Sequence, residues 1–160
     1  MDPVTVLGLV KASLSVTEHI LDFCSAYRKA YKDLSSIIDL IEFECNTWKA
    51  LIARLEDRLE TDNPSGPPLN LAPFGVLEKV RDHLSQLDAW IRAQALRDET
   101  TKVARIVNAG KWLARDKRKV VDLLNELSPI KFSFSLALDV DSRYGCRSTS
   151  NSTSDLECHY

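Results

Sequence analysis

Apolar side chains recur along this chain at three- and four-residue intervals, the spacing at which one face of an α-helix returns to the same neighbour. Behind Pro3 one stripe runs through Leu7, Val10, Leu14, Leu21 and Cys24, and another through Val6, Leu9, Val16, Ile20, Phe23 and Tyr27. Asp2 is placed to cap this helix, and Pro3 at its first position gives up no intrahelical hydrogen bond. Two stripes make the helix apolar over more than half its circumference. It must be central in a bundle, or have a second environment to enter. A second helix is predicted from about Asp33 to Glu60, where Leu34, Ile38, Ile41, Cys45, Trp48, Ile52, Leu55 and Leu59 keep a heptad-like seam beneath a charged outer face.

The segment TDNPSGPPLNLAP (61–73) is dense in helix breakers and ends that pattern. A third helix over about 74–96 is carried by Leu77, Val80, Leu84, Leu87 and Ile91. Residues 99–113 read as a shorter helix with Val103, Ile106 and Val107 inward, interrupted at Asn108-Ala109-Gly110. The last helix is predicted from about Arg115, with Val120, Leu124 and Leu127 facing the core. Its continuation is ambiguous, because IKFSFSLAL alternates apolar and polar like a strand. A lone strand would leave its backbone groups without partners, so 130–140 is assigned to helix resumed after a kink at Pro129. From Asp141 the chain is Ser/Thr-rich and aperiodic. The expected architecture is therefore all-α: a bundle of four principal helices with a short extra helix over residues 1–141, then a polar, disordered tail over 142–160. No internal repeat is visible.

Composition narrows the function more than the fold. A length of 160 residues suits one domain, and an apolar fraction of 44% is that of a globular protein. A net charge of −2 argues against a general nucleic-acid binder. Locally the picture changes: KWLARDKRKVV gathers Lys111, Arg115, Lys117, Arg118 and Lys119 around Trp112, opposed only by Asp116. The basic n-region of a secretory signal is missing, which points to the cytoplasm and reduced thiols. Cys24 and Cys45 then read as small buried hydrophobes.

Catalytic signatures are weak. Gly110-Lys111 cannot start a phosphate-binding loop, since Arg105 and Trp112 occupy the places of the required glycine and hydroxyl residue. Cys146, Cys158 and His159 match no structural zinc spacing. His19 and His83 sit among charged neighbours on helices, the ordinary setting of a partly exposed histidine. An enzyme is not expected, and no catalytic, cofactor or metal residue is assigned. Trp48 and Trp90 read as core residues. Trp112, leading the basic cluster, suits a protein edge or a membrane interface.

Several stretches follow one another in a recognisable order. They are MDPVTVLGLVKASLSV, ALIARLEDRLE, the Gly/Pro loop, VLEKVRDHLSQLDAW and KWLARDKRKVVDLLNELSPIKFSFSLAL. Over residues 1–141 the chain resembles the N-terminal helical domain of fungal STAND proteins, the NACHT- or NB-ARC-type NTPases, in their SesA and HeLo-like groups. There a tryptophan-containing turn with lysines precedes a helix ending in a KSLLSLAL-like stretch. Trp112, Lys117, Lys119, Leu123, Leu124, Leu127, Ser135, Leu136, Ala137 and Leu138 fall on that pattern, and Pro129 departs from it.

The resemblance implies a non-enzymatic effector or signalling domain of programmed cell death or heterokaryon incompatibility, targeting membranes after oligomerisation. Its implied partners are a like domain or a STAND receptor, an anionic membrane surface and, on activation, further copies of itself; no nucleic acid or cofactor is implied. Lys111, Trp112, Arg115, Lys117, Arg118 and Lys119 are the candidate membrane or partner surface. Val6, Leu7, Leu9, Val10, Leu14, Val16, Ile20 and Leu21 make the first helix a candidate for membrane entry. Lys11, Glu18 and His19 interrupt it, so the monomer is expected to be soluble with this helix covered. No NTPase domain is expected in the residues that follow the bundle. The alternatives are an adaptor making homotypic helix contacts, free-standing beside a receptor, or a truncated STAND protein.

Overall fold

The structure is a computed structural model that describes residues 3–30, 36–61, 72–95 and 101–150. These residues form α1 (Pro3–Ala30), α2 (Ser36–Thr61), α3 (Ala72–Ala95), α4 (Lys102–Arg115) and α5 (Lys117–Ser150), with no strand among them. The all-α bundle expected from the periodicity is what the chain builds.

The inner face of α1 runs through Val6, Val10, Ser13, Thr17, Ile20, Cys24 and Tyr27, all buried at strict three-four spacing. Two members of that seam are polar. Ser13 Oγ donates to the Leu9 carbonyl and Thr17 Oγ1 to the Ser13 carbonyl, each at 2.8 Å, so neither hydroxyl is buried unpaired. α1 packs against α2, α3 and α4, which accounts for its apolar surplus: it is the central helix. On α2 the predicted seam is buried from Ile38 to Leu55, with Leu59 half-buried and Leu34 outside the described residues. All five residues predicted for the core face of α3 are buried.

Interhelix pairs fix the directions. Arg28 meets Asp39 and Glu42 while Lys49 meets Glu18 at 3.1 Å, so α1 and α2 are antiparallel. Lys131 meets Glu44 and Arg54 meets Asp139, so α2 and α5 are parallel. Among the described residues the backbones of α1 and α5 nowhere come close, nor do those of α2 and α3. The four long helices therefore stand in a square in the order α1, α2, α5, α3, with those two pairs on the diagonals. α4 touches all four. It crosses the end formed by the C-termini of α1 and α3 and the N-termini of α2 and α5, where Tyr27 meets Gly110, Trp90 meets Trp112 and Ser36 meets Lys117.

Three details differ from the sequence reading. α4 is continuous through Asn108-Ala109-Gly110. Gly110 does not break the helix; it lets α4 close on α1, since a Cβ there would lie 1.9 Å from Tyr27 Cε2. The buried face of α4 is Ala109, Gly110 and Leu113 at its C-terminal half, whereas Val103 is exposed and Ile106 and Val107 are half-buried. A helix lying across a bundle end buries only the part that overhangs the core. Finally, α5 runs through Pro129 and on to Ser150, beyond the predicted domain limit at 141. No second proline follows, and extending an existing helix costs far less than starting one. Residues 151–160 of the predicted tail lie outside the described residues.

The alternating stretch resolves within α5. In a helix, positions two apart diverge and positions four apart coincide. Phe134 and Leu138 accordingly face inward, with Phe134 edge-on to Trp48 at 5.8 Å between ring centroids. Phe132 and Leu136 point outward.

Candidate functional site

The basic cluster sits on a one-residue elbow between α4 and α5. Thr101 caps α4, its hydroxyl accepting from the Ala104 N–H at 3.3 Å. At the other end Asp116 is the single residue between the helices. Its N–H donates to the Trp112 carbonyl at 2.8 Å, and its carbonyl accepts from the Lys119 N–H at 3.0 Å. So short a junction fixes Arg115 relative to Lys117, Arg118 and Lys119.

Apart from Asp116 itself, the residues on either side of this elbow carry positive charge. α4 carries Lys102, Arg105, Lys111 and Arg115 and no acidic residue. The first turn of α5 adds Lys117, Arg118 and Lys119, again without an acid. Among the described residues Arg115, Arg118 and Lys119 enter no ion pair, and Lys117 reaches only the Ser36 hydroxyl, at 3.1 Å. Helix electrostatics sharpens the anomaly. The N-terminus of α5 bears the positive end of the helix dipole, where a cation costs roughly 0.3–1 kcal/mol and an anion is welcome. Asp116, directly before this turn, is the one acid at the α5 N-terminus, and the three cations that follow it run against the helix dipole.

Arg28 and Lys29 end α1 at the same end of the bundle. Arg28 is neutralised by Asp39 and Glu42, the Glu42 hydrogen bond holding its pKa above the ordinary value, whereas Lys29 is exposed.

The predicted surface residues do come together, with one change of role. Lys111, Arg115, Lys117, Arg118 and Lys119 are exposed. Trp112 is half-buried and packs edge-on against Trp90, with ring centroids 6.0 Å apart. It therefore anchors α4 to α3 beneath the cluster. Lys102, Val103 and Arg105 are also exposed on α4 and escaped the sequence reading, although the helical repeat turns Lys102 to the side of α4 opposite Lys111. Their signal was the acid-free run from Lys102 to Arg115.

The candidate membrane-entry residues lie elsewhere. Val6, Leu9, Val10 and Ile20 are in the core, and Leu14, Val16 and Leu21 pack on it, with Leu7 half-buried. No helix among the described residues is long and apolar enough to cross a membrane.

Other reactive groups have structural occupations. His19 Nδ1 lies 2.5 Å from Asp88, whose second oxygen accepts from Arg92 at 2.8 Å, a link between α1 and α3. His83 joins Glu126 on α5 at 2.7 Å. Burial, reinforced by Glu42, pushes the Cys24 thiol up to about 12; burial likewise raises Cys45, with Cys24 and Glu44 adding to it. Neither is a thiolate nucleophile near neutral pH.

No protein-family model, curated protein or solved structure matches the chain.

Proposed function

We propose that this chain is a non-enzymatic signalling module that docks on an anionic membrane surface through the basic end of its bundle. That is the effector role implied by its resemblance to the N-terminal helical domains of fungal STAND proteins of the SesA and HeLo-like kind. One observation carries the proposal: an acid-free α4 runs through a one-residue elbow into the basic first turn of α5, presenting Arg115, Lys117, Arg118 and Lys119 together. Each base near an anionic leaflet contributes on the order of 1 kcal/mol, so the cluster is strong enough to hold the domain at low salt and weak enough to release it. Val103, exposed on the same helix, supplies an apolar contact at the headgroup boundary.

The docking is peripheral. Entry by α1 would strip Val6, Val10 and Ile20 from the core, at roughly 1.5–3 kcal/mol for each aliphatic side chain, and so belongs to a later, activated state. The test is co-sedimentation with anionic and zwitterionic vesicles, for wild type and for Lys117→Glu/Arg118→Glu/Lys119→Glu. Wild type should pellet with anionic vesicles only, and the folded variant should remain in the supernatant. If wild type ignores anionic lipid at low salt even when fused to an oligomerising domain, the surface has a protein partner and the adaptor reading replaces this one.

A further inference from the structure

We infer that the outer seam between α2 and α5 is a self-association face that takes a second copy of this chain. Four large apolar side chains open onto it: Phe132 is 74% exposed, Phe43 65%, Leu136 54% and Leu40 36%. Helix pairing brings them to one side of the molecule. Lys131 Nζ contacts both oxygens of Glu44, at 2.7 and 2.9 Å, and stands 5.9 Å from the centre of the Phe43 ring, so the stretch of α5 that carries Phe132 runs beside the stretch of α2 that carries Phe43. Leu136 follows Phe132 by one turn and Leu40 precedes Phe43 by one turn, so the four form a strip along two parallel helices. On the same side of α2, Thr47 and Ala50 are small enough to let another backbone approach.

Size and charge select the occupant. The strip exposes roughly 400 Å² of apolar side chain, judged from the area a large aromatic or aliphatic residue buries. A stable two-fold interface covers about 800 Å² per partner, a little over half of it apolar. The strip thus supplies the apolar share of one such face, centred on two phenylalanines. Its charges are closed within the chain: Lys131 is neutralised by Glu44 and Arg54 by Asp139. A face with no charge left over neither repels its own copy nor selects an oppositely charged stranger, whereas the basic end would repel another basic end. Self-complementarity is what a two-fold contact requires. The face is separate from the basic end, and its occupancy does not depend on lipid.

Sedimentation equilibrium of the full chain without lipid tests this. Wild type should show a concentration-dependent monomer–dimer equilibrium. Phe43→Glu/Phe132→Glu should be monomeric throughout, with a circular-dichroism melt unchanged at dilutions where wild type is itself monomeric, because both side chains are exposed. Leu136→Lys should weaken the dimer at least tenfold, and Lys117→Glu/Arg118→Glu/Lys119→Glu should leave it intact. A wild type that stays monomeric to several hundred micromolar overturns the inference, as does a dimer that survives the double substitution. A dimer seen only after removal of residues 151–160 assigns the face to that segment instead.

Discussion

At Gly110 an added methyl would lie 1.9 Å from Cε2 of Tyr27, a ring buried in the core. Gly8, on the exposed side of α1, has nothing within 4 Å of the same virtual atom. Alanine at a helical glycine usually gains about 1 kcal/mol. Gly8→Ala should therefore stabilise the protein by up to about that amount, while Gly110→Ala should destabilise it by about 1–3 kcal/mol through overpacking. Urea titrations of the two variants give the comparison, and equal signs would contradict the close packing of α4 on α1. The two buried thiols make a second residue-scale prediction. An unfolded cysteine ionises near about pH 8.5, whereas Cys24 in the fold does so only at about 12. Between those values the unfolded chain binds fewer protons, so stability falls as pH rises, by up to about 1.4 kcal/mol per pH unit for each thiol. Thermal melts from pH 8 to 11 should therefore slope more steeply for wild type than for Cys24→Ala/Cys45→Ala; parallel slopes would mean the thiols are hydrated. At this scale the sequence was only partly legible. Ser13 and Thr17 occupy the buried seam of α1 while Leu7 and Leu14 lie on its flanks, because hydroxyls that bond back to their own helix can be buried where hydropathy alone would not place them.

Among the elements, α2 was readable over its described residues from Ile38 to Leu59, since a polar outer face and a continuous heptad seam leave one orientation available. Leu55 is fully buried in that seam, so Leu55→Ala should cost about 2–5 kcal/mol by lost burial and a cavity. An unchanged melt would place α2 outside the core. α4 was harder. Its breaker-like Asn108-Ala109-Gly110 suggested an interruption, and nothing local announced that the glycine receives a tyrosine from a helix some eighty residues away in sequence. α5 shows a subtler limit. Period-two alternation in KFSFSLAL is incompatible with a single buried helix face, so half of its apolar side chains must lie outside; which half depends on packing against Trp48 and cannot be read locally. Truncation after Ser128 removes Phe134 and Leu138 from the core and should lower the melting temperature sharply, whereas truncation after Asp141 should leave it nearly unchanged. A large loss from the shorter deletion would show that the end of α5 is part of the folding unit.

Over the whole molecule, charge is arranged more tellingly than its sum of −2 indicates. Ion pairs fasten the sides of the bundle, α1 to α2, α1 to α3, α2 to α5 and α3 to α5. Among the described residues the end crossed by α4 gathers Arg115, Arg118 and Lys119, which enter no ion pair. The KWLARDKRKVV cluster and the acid-free run from Lys102 that leads into it were visible in the sequence, but that α4 crosses the end of the bundle is encoded by no local pattern. The most direct measurement is the partition of wild type onto anionic vesicles as ionic strength is raised, beside Arg115→Glu/Arg118→Glu. Docking by the basic end predicts tight partition at low salt, a steep fall as the Debye length shrinks, and little binding by the variant at any salt. Absence of binding at low salt, or binding indifferent to both salt and charge reversal, would contradict it.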